Sequence, residues 1–257
     1  FESNTVNVNL FNITFINVYD GFKLMGTGLA NLLLENCTVD TAINQGVFIG
    51  EYSNITIRDW TFYSVDTAIW VEGTDIYIED VTIRDGQFGV YYDDTSGILS
   101  ITSSVFYDTS ALILGNTAEK LIIENVNGYR TGSLGIYCQY VDNATVYNSH
   151  IEMNGVGNAY EFDFNTTWYR LWDSYGFNGT NGVQIRSYTN GIIDECEFRN
   201  FTKGIYIQHY GQPLELNLTN SLFWGCDTGY YGDRDGLVRV NGNTFRYCGK
   251  AIDAADT

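Results

Sequence analysis

Short runs in which apolar and polar residues alternate recur along the whole chain. Cut at the first apolar position of each run, the chain divides at Val8, Leu32, Ile55, Ile76, Leu99, Leu121, Ala144, Tyr169, Gly191, Leu216 and Val238. Successive starts lie 21 to 25 residues apart and average 23. A period this tight over a whole chain is the mark of a solenoid. Leu32 with Leu34, Ile55 with Ile57 and Leu121 with Ile123 point to one side of a strand, and Glu35, Arg58 and Glu124 to the other. Seven residues after the start an apolar side chain returns, as at Phe15, Phe62, Phe106, Phe198 and Phe245. Gly128 and Gly176 interrupt this column, and Phe177 suggests a one-residue shift in its coil.

A second strand then opens on a small residue: Gly21, Gly46, Ala68, Gly89, Ala111, Gly135, Ala159, Gly182, Gly204, Gly229 and Ala251. Small residues in register imply a bend where a larger side chain would meet the packed interior. After the first strand comes a turn column of Asn12, Asn36, Asp59, Asp80, Ser103, Asn125, Asn148, Asp173, Glu195, Asn220 and Gly242. Short amides and carboxylates satisfy backbone groups at a sharp corner and, stacked coil on coil, form a hydrogen-bonded ladder. No helical period competes with this pattern. The reading is all-β: one parallel β-helix domain over residues 1–257, of about eleven coils averaging 23 residues. At about 4.8 Å per coil this makes a rod roughly 50 Å long.

Composition narrows the setting. With 13 basic against 31 acidic residues the net charge is −18, and the scattered Lys and Arg argue against nucleic acid as a partner. The 20 Tyr, 15 Phe and 5 Trp exclude a disordered acidic tail. No apolar stretch approaches the roughly 20 residues that span a bilayer, so membrane insertion by this segment is not expected. The opening at Phe1, without a Met, suggests a processed product or a piece of a longer chain.

The segments Leu32-Leu-Leu-Glu-Asn-Cys-Thr-Val39, Ile76-Tyr-Ile-Glu-Asp-Val-Thr-Ile83 and Gly204-Ile-Tyr-Ile207 resemble the strand-and-turn wording of the right-handed parallel β-helix superfamily. More closely, the chain resembles its pectate-lyase-like class of carbohydrate-binding proteins and sugar hydrolases. The resemblance implies the right-handed winding. It also implies two catalytic patterns, acidic calcium ligands with a basic proton acceptor or aspartates around Asn-Thr-Asp, neither of which maps residue by residue onto this chain.

The middle outward position of the second strand reads Lys23, Phe48, Trp70, Tyr91, Ile113, Tyr137, Glu161, Gln184, Tyr206, Tyr231 and Asp253. Phe48, Trp70, Tyr91 and Tyr137 would stack into an aromatic ribbon, with Gln184, Tyr206 and Tyr231 further along. Such a ribbon is either a sugar platform or a covered interface. If the protein is an enzyme, a polysaccharide hydrolase or lyase, Glu161 and Asp163 are the acid and base or nucleophile, roughly 6.5 Å apart along one strand. His150 or Arg186 would support them. No metal pattern is present; Asp227, Asp233 and Asp235 in a Gly-rich stretch would suit calcium but lack a calcium-loop spacing. Thus no cofactor is expected beyond an optional calcium ion.

Cys226 and Cys248 take the same place in consecutive coils and fall within disulfide range. Asn54, Asn143, Asn165, Asn178, Asn200 and Asn217 head Asn-x-Ser/Thr sequons outside the turn column. With the acidity and few Lys, they favour an extracellular or cell-surface setting and a glycoprotein. Open coil edges invite pairing, so a homo-oligomer or flanking domains would cover them. The function expected first is glycan recognition or adhesion; the alternatives are a self-assembling filament or surface-layer subunit, and polysaccharide cleavage.

Overall fold

The computed structural model describes residues 6–163, 166–186, 190–208, 215–232 and 236–254. These form an all-β parallel solenoid in which each strand pairs with its counterparts one coil away. The eleven starts fall in a single column, Val8 beside Leu32, Leu32 beside Ile55, and so on to Leu216 beside Val238. The winding has three faces. In the coil beginning at Asn190, strand Asn190–Asp194 lies in a first sheet, Glu197–Arg199 in a short sheet and Lys203–Gln208 in a second sheet.

The corner between first and short sheets explains its own sequence. Its ten non-glycine residues, from Asn12 to Asn220, all have φ between 45 and 55°, and Gly242 has 68°. This left-handed conformation costs an ordinary L-residue about 1–2 kcal/mol, and short polar residues enter it most readily. A second left-handed corner, not anticipated from the sequence, follows the short sheet at Ser64, Asp85, Asp108, Asn178 and Asn200. The parallel ladder runs unbroken through the corners: Asn36 N donates to Arg58 O, and Asp59 N to Glu79 O, both at 3.1 Å.

The expected side-chain ladder in the corner column forms only in part, where Asn36 donates to Asn12 and Asn148 to Asn125. A more regular ladder lies one residue on and is buried. Ser104, Ser149, Ser174 and Ser221 each accept the N–H of the preceding coil, from Val81, Val126, Ser149 and Cys196, at 3.1–3.3 Å. Each of these hydroxyls donates in turn to a carbonyl two residues back.

Inside, a small residue accompanies a large one at particular places along the rod. A Cβ on Gly115 would lie 1.9 Å from the Tyr92 ring, and one on Gly191 would lie 2.1 Å from Tyr169. Close packing leaves no room for both. The same complementarity corrects three readings. Pairing of Ile113 with Val90 and Ile136 makes Leu112, not Ala111, the occupant of the small-residue place, and puts Leu114, not Ile113, in the outward column. Leu112 turns inward because Gly128 vacates its column: a Cβ there would sit 2.2 Å from Leu112 Cδ1. Gly176, not Phe177, keeps register between Ile151 and Phe198 in the apolar column, where the Phe201 ring fills its space; Phe177 faces outward.

The expected Cys226–Cys248 disulfide is absent, and both residues are thiols. Their sulfurs contact the carbonyls of Phe198 and Phe223, each at 3.6 Å, and the two thiols also interact with each other. Cys138 is fully buried, as its inward place requires.

Candidate glycan-binding face

The second sheet presents two outward columns, two residues apart. Pairing along the first is Lys23, Phe48, Trp70, Tyr91, Leu114, Tyr137, Glu161, Gln184, Tyr206, Tyr231 and Asp253. The second runs Asp93, Asn116, Gln139, Asp163, Arg186 and Gln208, with Glu72 beside Trp70 at its near end. Parallel in-register coils put each aromatic ring beside a polar group that the alternation of the strand turns to the same side.

The aromatic stretch is continuous from Phe48 to Tyr91. The Phe48 and Trp70 centroids are 5.9 Å apart and those of Trp70 and Tyr91 4.6 Å, with rings tilted by 56° and 59°. Lys23 Nζ lies 5.1 Å from the Phe48 centroid. All three rings are half-buried. Trp70 Nε1 donates to Glu72 Oε1 at 2.9 Å, and Asn116 Nδ2 to Asp93 Oδ1 at 3.2 Å. Beyond Tyr91 the face opens into a depression of about 360 Å³ lined by Tyr91, Leu114, Asn116, Tyr137, Gln139 and Tyr140. Apolar ring faces rimmed by amides, hydroxyls and carboxylates suit a hydroxylated ring: C–H faces stack while hydroxyls exchange hydrogen bonds.

At Glu161 the same column changes character. Glu161 and Asp163 are 2% and 1% exposed. Arg186 Nη1 lies 3.0 Å from Glu161 Oε1 and 3.5 Å from Asp163 Oδ2. Asn158 Nδ2 donates to Glu161 Oε2 at 2.6 Å, and the Tyr137 hydroxyl contacts Asp163 Oδ2 at 3.2 Å and Gln139 Oε1 at 2.9 Å. Asn158 and Asn181 both reach the Gln184 amide, at 2.7 and 3.2 Å. Burial is the main cause that raises the Glu161 pKa above the usual carboxylate value, and burial likewise raises that of the Tyr137 phenol. Glu161 and Asp163 are thus closed into a buried latch, their carboxylates bonded to Arg186 and their neighbours. Gln184, expected on the sugar platform, belongs to this latch and is buried. Past it, Tyr206 and Tyr231 resume at 5.6 Å, with Lys203 Nζ 3.6 and 4.2 Å from their centroids.

His150 does not join Glu161. It stands on the short sheet, stacked 5.0 Å from Phe177 and 5.7 Å from Tyr129, and burial lowers its pKa. It marks a second ladder that sequence reasoning missed. Tyr63, Arg84, Tyr107 and Tyr129 follow one another on the short sheet, and further along so do Phe177, Arg199, Trp224 and Arg246. Arg84 lies over Tyr107 at 4.1 Å, and Arg199 lies between Phe177 and Trp224. Its signal was available: these residues stand one place after the apolar seventh position.

Of the sequons, Asn54, Asn143 and Asn200 are exposed, Asn178 and Asn217 half-buried, and Asn165 lies outside the described residues. Asn54 donates to Asn31, and Asn200 to Asn178 at 3.1 Å. Asp227 is exposed, while Asp233 and Asp235 lie outside the described residues. Among the described residues no three His, Cys, Asp or Glu side chains converge to hold a metal ion, and no helix is long and apolar enough to cross a membrane.

Compared with known families, the chain matches the one described as "right handed beta helix region" over residues 1–126 and 157–257. The unmatched stretch holds Gly128, the register shift between Gly128 and Thr131, and the left-handed Gly155. No curated protein matches the chain.

Proposed function

The chain belongs to the right-handed β-helix family, and from that premise we propose that it is a glycan-recognition module of the cell surface or extracellular space. The observation that carries this reading is the half-buried ring stack of Phe48, Trp70 and Tyr91 running into the depression beside Tyr137, with a parallel column of hydrogen-bonding groups. Carbohydrate sites need this pairing of stacking faces with oriented polar groups. Recognition without cleavage is favoured over hydrolysis because Glu161 and Asp163, the pair expected for catalysis, are buried and engaged by Arg186. Glycosidases instead set their two carboxyl groups across an open cleft.

The test is binding to a broad glycan array by the wild-type chain and by a Trp70→Ala, Tyr91→Ala variant. Selective binding that the variant loses supports the reading. Silence from folded protein, with concentration-dependent association that the same substitutions abolish, assigns the ribbon to a subunit interface. Product release from a bound glycan, lost in Glu161→Gln, assigns it to an enzyme.

A further inference from the structure

We infer that this face selects uncharged glycans and rejects polyuronates, an inference that rests on the glycan-recognition reading of the same site. Between Phe48 and Gln184, along the two outward columns, the one cation among the described residues is Arg186. Its guanidinium is committed to Glu161 and Asp163, at 3.0 and 3.5 Å. The polar groups nearest the open rings are the carboxylates of Glu72 and Asp93 and the amides of Asn116 and Gln139.

Sugar hydroxyls satisfy such a lining in both directions, donating to the carboxylates and exchanging hydrogen bonds with the amides. A uronate carboxylate laid on the Trp70 and Tyr91 rings would face Glu72 and Asp93 and lose its hydration, while the cations of the columns are engaged elsewhere, Lys23 with Asp20 at 3.7 Å and Arg186 with Glu161 and Asp163. Like charges brought together in a partly desolvated groove repel strongly. The net charge of −18 adds a long-range field that disfavours the approach of any polyanion. The acidic lining thus acts as a filter on top of the stacking platform.

The full 257-residue chain would be titrated, by Trp fluorescence and calorimetry, with a galacturonate hexamer as the free acid and as its methyl ester. Neutral hexamers of glucose, mannose, galactose and xylose would run alongside, at two ionic strengths and with and without calcium. The expected result is binding of a neutral hexamer or the ester at least tenfold tighter than the free acid. Higher salt should shrink that ratio, and so should a Glu72→Gln, Asp93→Asn variant. Free acid bound as tightly as the neutral chains, with or without calcium, overturns the inference and leaves glycan recognition standing. If no hexamer binds the folded protein, the recognition reading fails and the filter falls with it.

Discussion

The aromatic stretch from Phe48 to Tyr91 and the polar block around Glu161 occupy one outward column of one sheet, yet they solve opposite problems. In the first, rings tilted against each other at 4.6–5.9 Å remain half-buried and end at an open depression. In the second, two carboxylates, two Asn and a Gln are buried in one network that a half-buried Arg186 closes. An identical backbone thus supports either an accessible apolar platform or a buried polar latch. The difference lies in whether the side chains find partners among themselves. Aromatic rings leave their faces unsatisfied and accessible, whereas carboxylates tolerate burial only when paired and hydrogen-bonded.

The contrast is most sharply broken by Arg186→Met, which leaves Glu161 and Asp163 buried without their cation. Guanidinium denaturation should show a loss of about 3 kcal/mol, the scale of a broken buried ion pair, while the far-UV spectrum of the folded state is unchanged. Next in size, the Trp70→Ala, Tyr91→Ala variant should lose at least tenfold in glycan affinity, about 1.4 kcal/mol or more. Its melting temperature should fall less than that of Arg186→Met, since the rings are half-buried and the latch is untouched.

Tyr137 sits on the boundary, lining the depression while its hydroxyl reaches Asp163 and Gln139. Tyr137→Phe should cost about 1 kcal/mol of stability, one net hydrogen bond, and should keep most of the ring's contribution to binding. The smallest effect concerns pH. Burial raises the Glu161 pKa, so the folded state holds this proton more tightly than the unfolded chain. The stability contributed by that group is complete below the ordinary Glu pKa and is lost as pH rises through the folded value. The stability of wild type relative to Glu161→Gln should therefore decline as pH rises from acid toward neutral, read from denaturation midpoints across that range. A difference that grows with pH would mean that Arg186 outweighs burial.

Much of the fold is legible because coil repetition enforces it. The eleven starts can be read from alternation alone, since a one-residue slip would turn every inward side chain to solvent. The corner column is legible because left-handed backbone selects Asn, Asp and Ser. Errors fell where one coil depends on its neighbour. Ile113 and Leu114 are both apolar, and local alternation favoured the wrong one; the space above Gly128, which draws Leu112 inward, decides between them. The Phe177 shift failed for a similar reason, because Phe201, from the next coil, fills the place of the missing ring. At the candidate site, column membership was readable for Phe48, Trp70, Tyr91, Tyr137, Tyr206 and Tyr231, whereas the burial of Glu161 and Asp163 was not. Strand alternation says that a side chain faces outward, but not that Arg186, 23 residues beyond Asp163, closes over it.

The sequence by itself determined the solenoid, the coil length, the parallel register and most members of the stacked columns, because each follows from periodic burial of short strands. Only the tertiary structure decided which outward residues remain accessible and which acids neutralise an arginine. Those outcomes depend on the volume and charge supplied by adjacent coils, and no periodicity within a single coil encodes them.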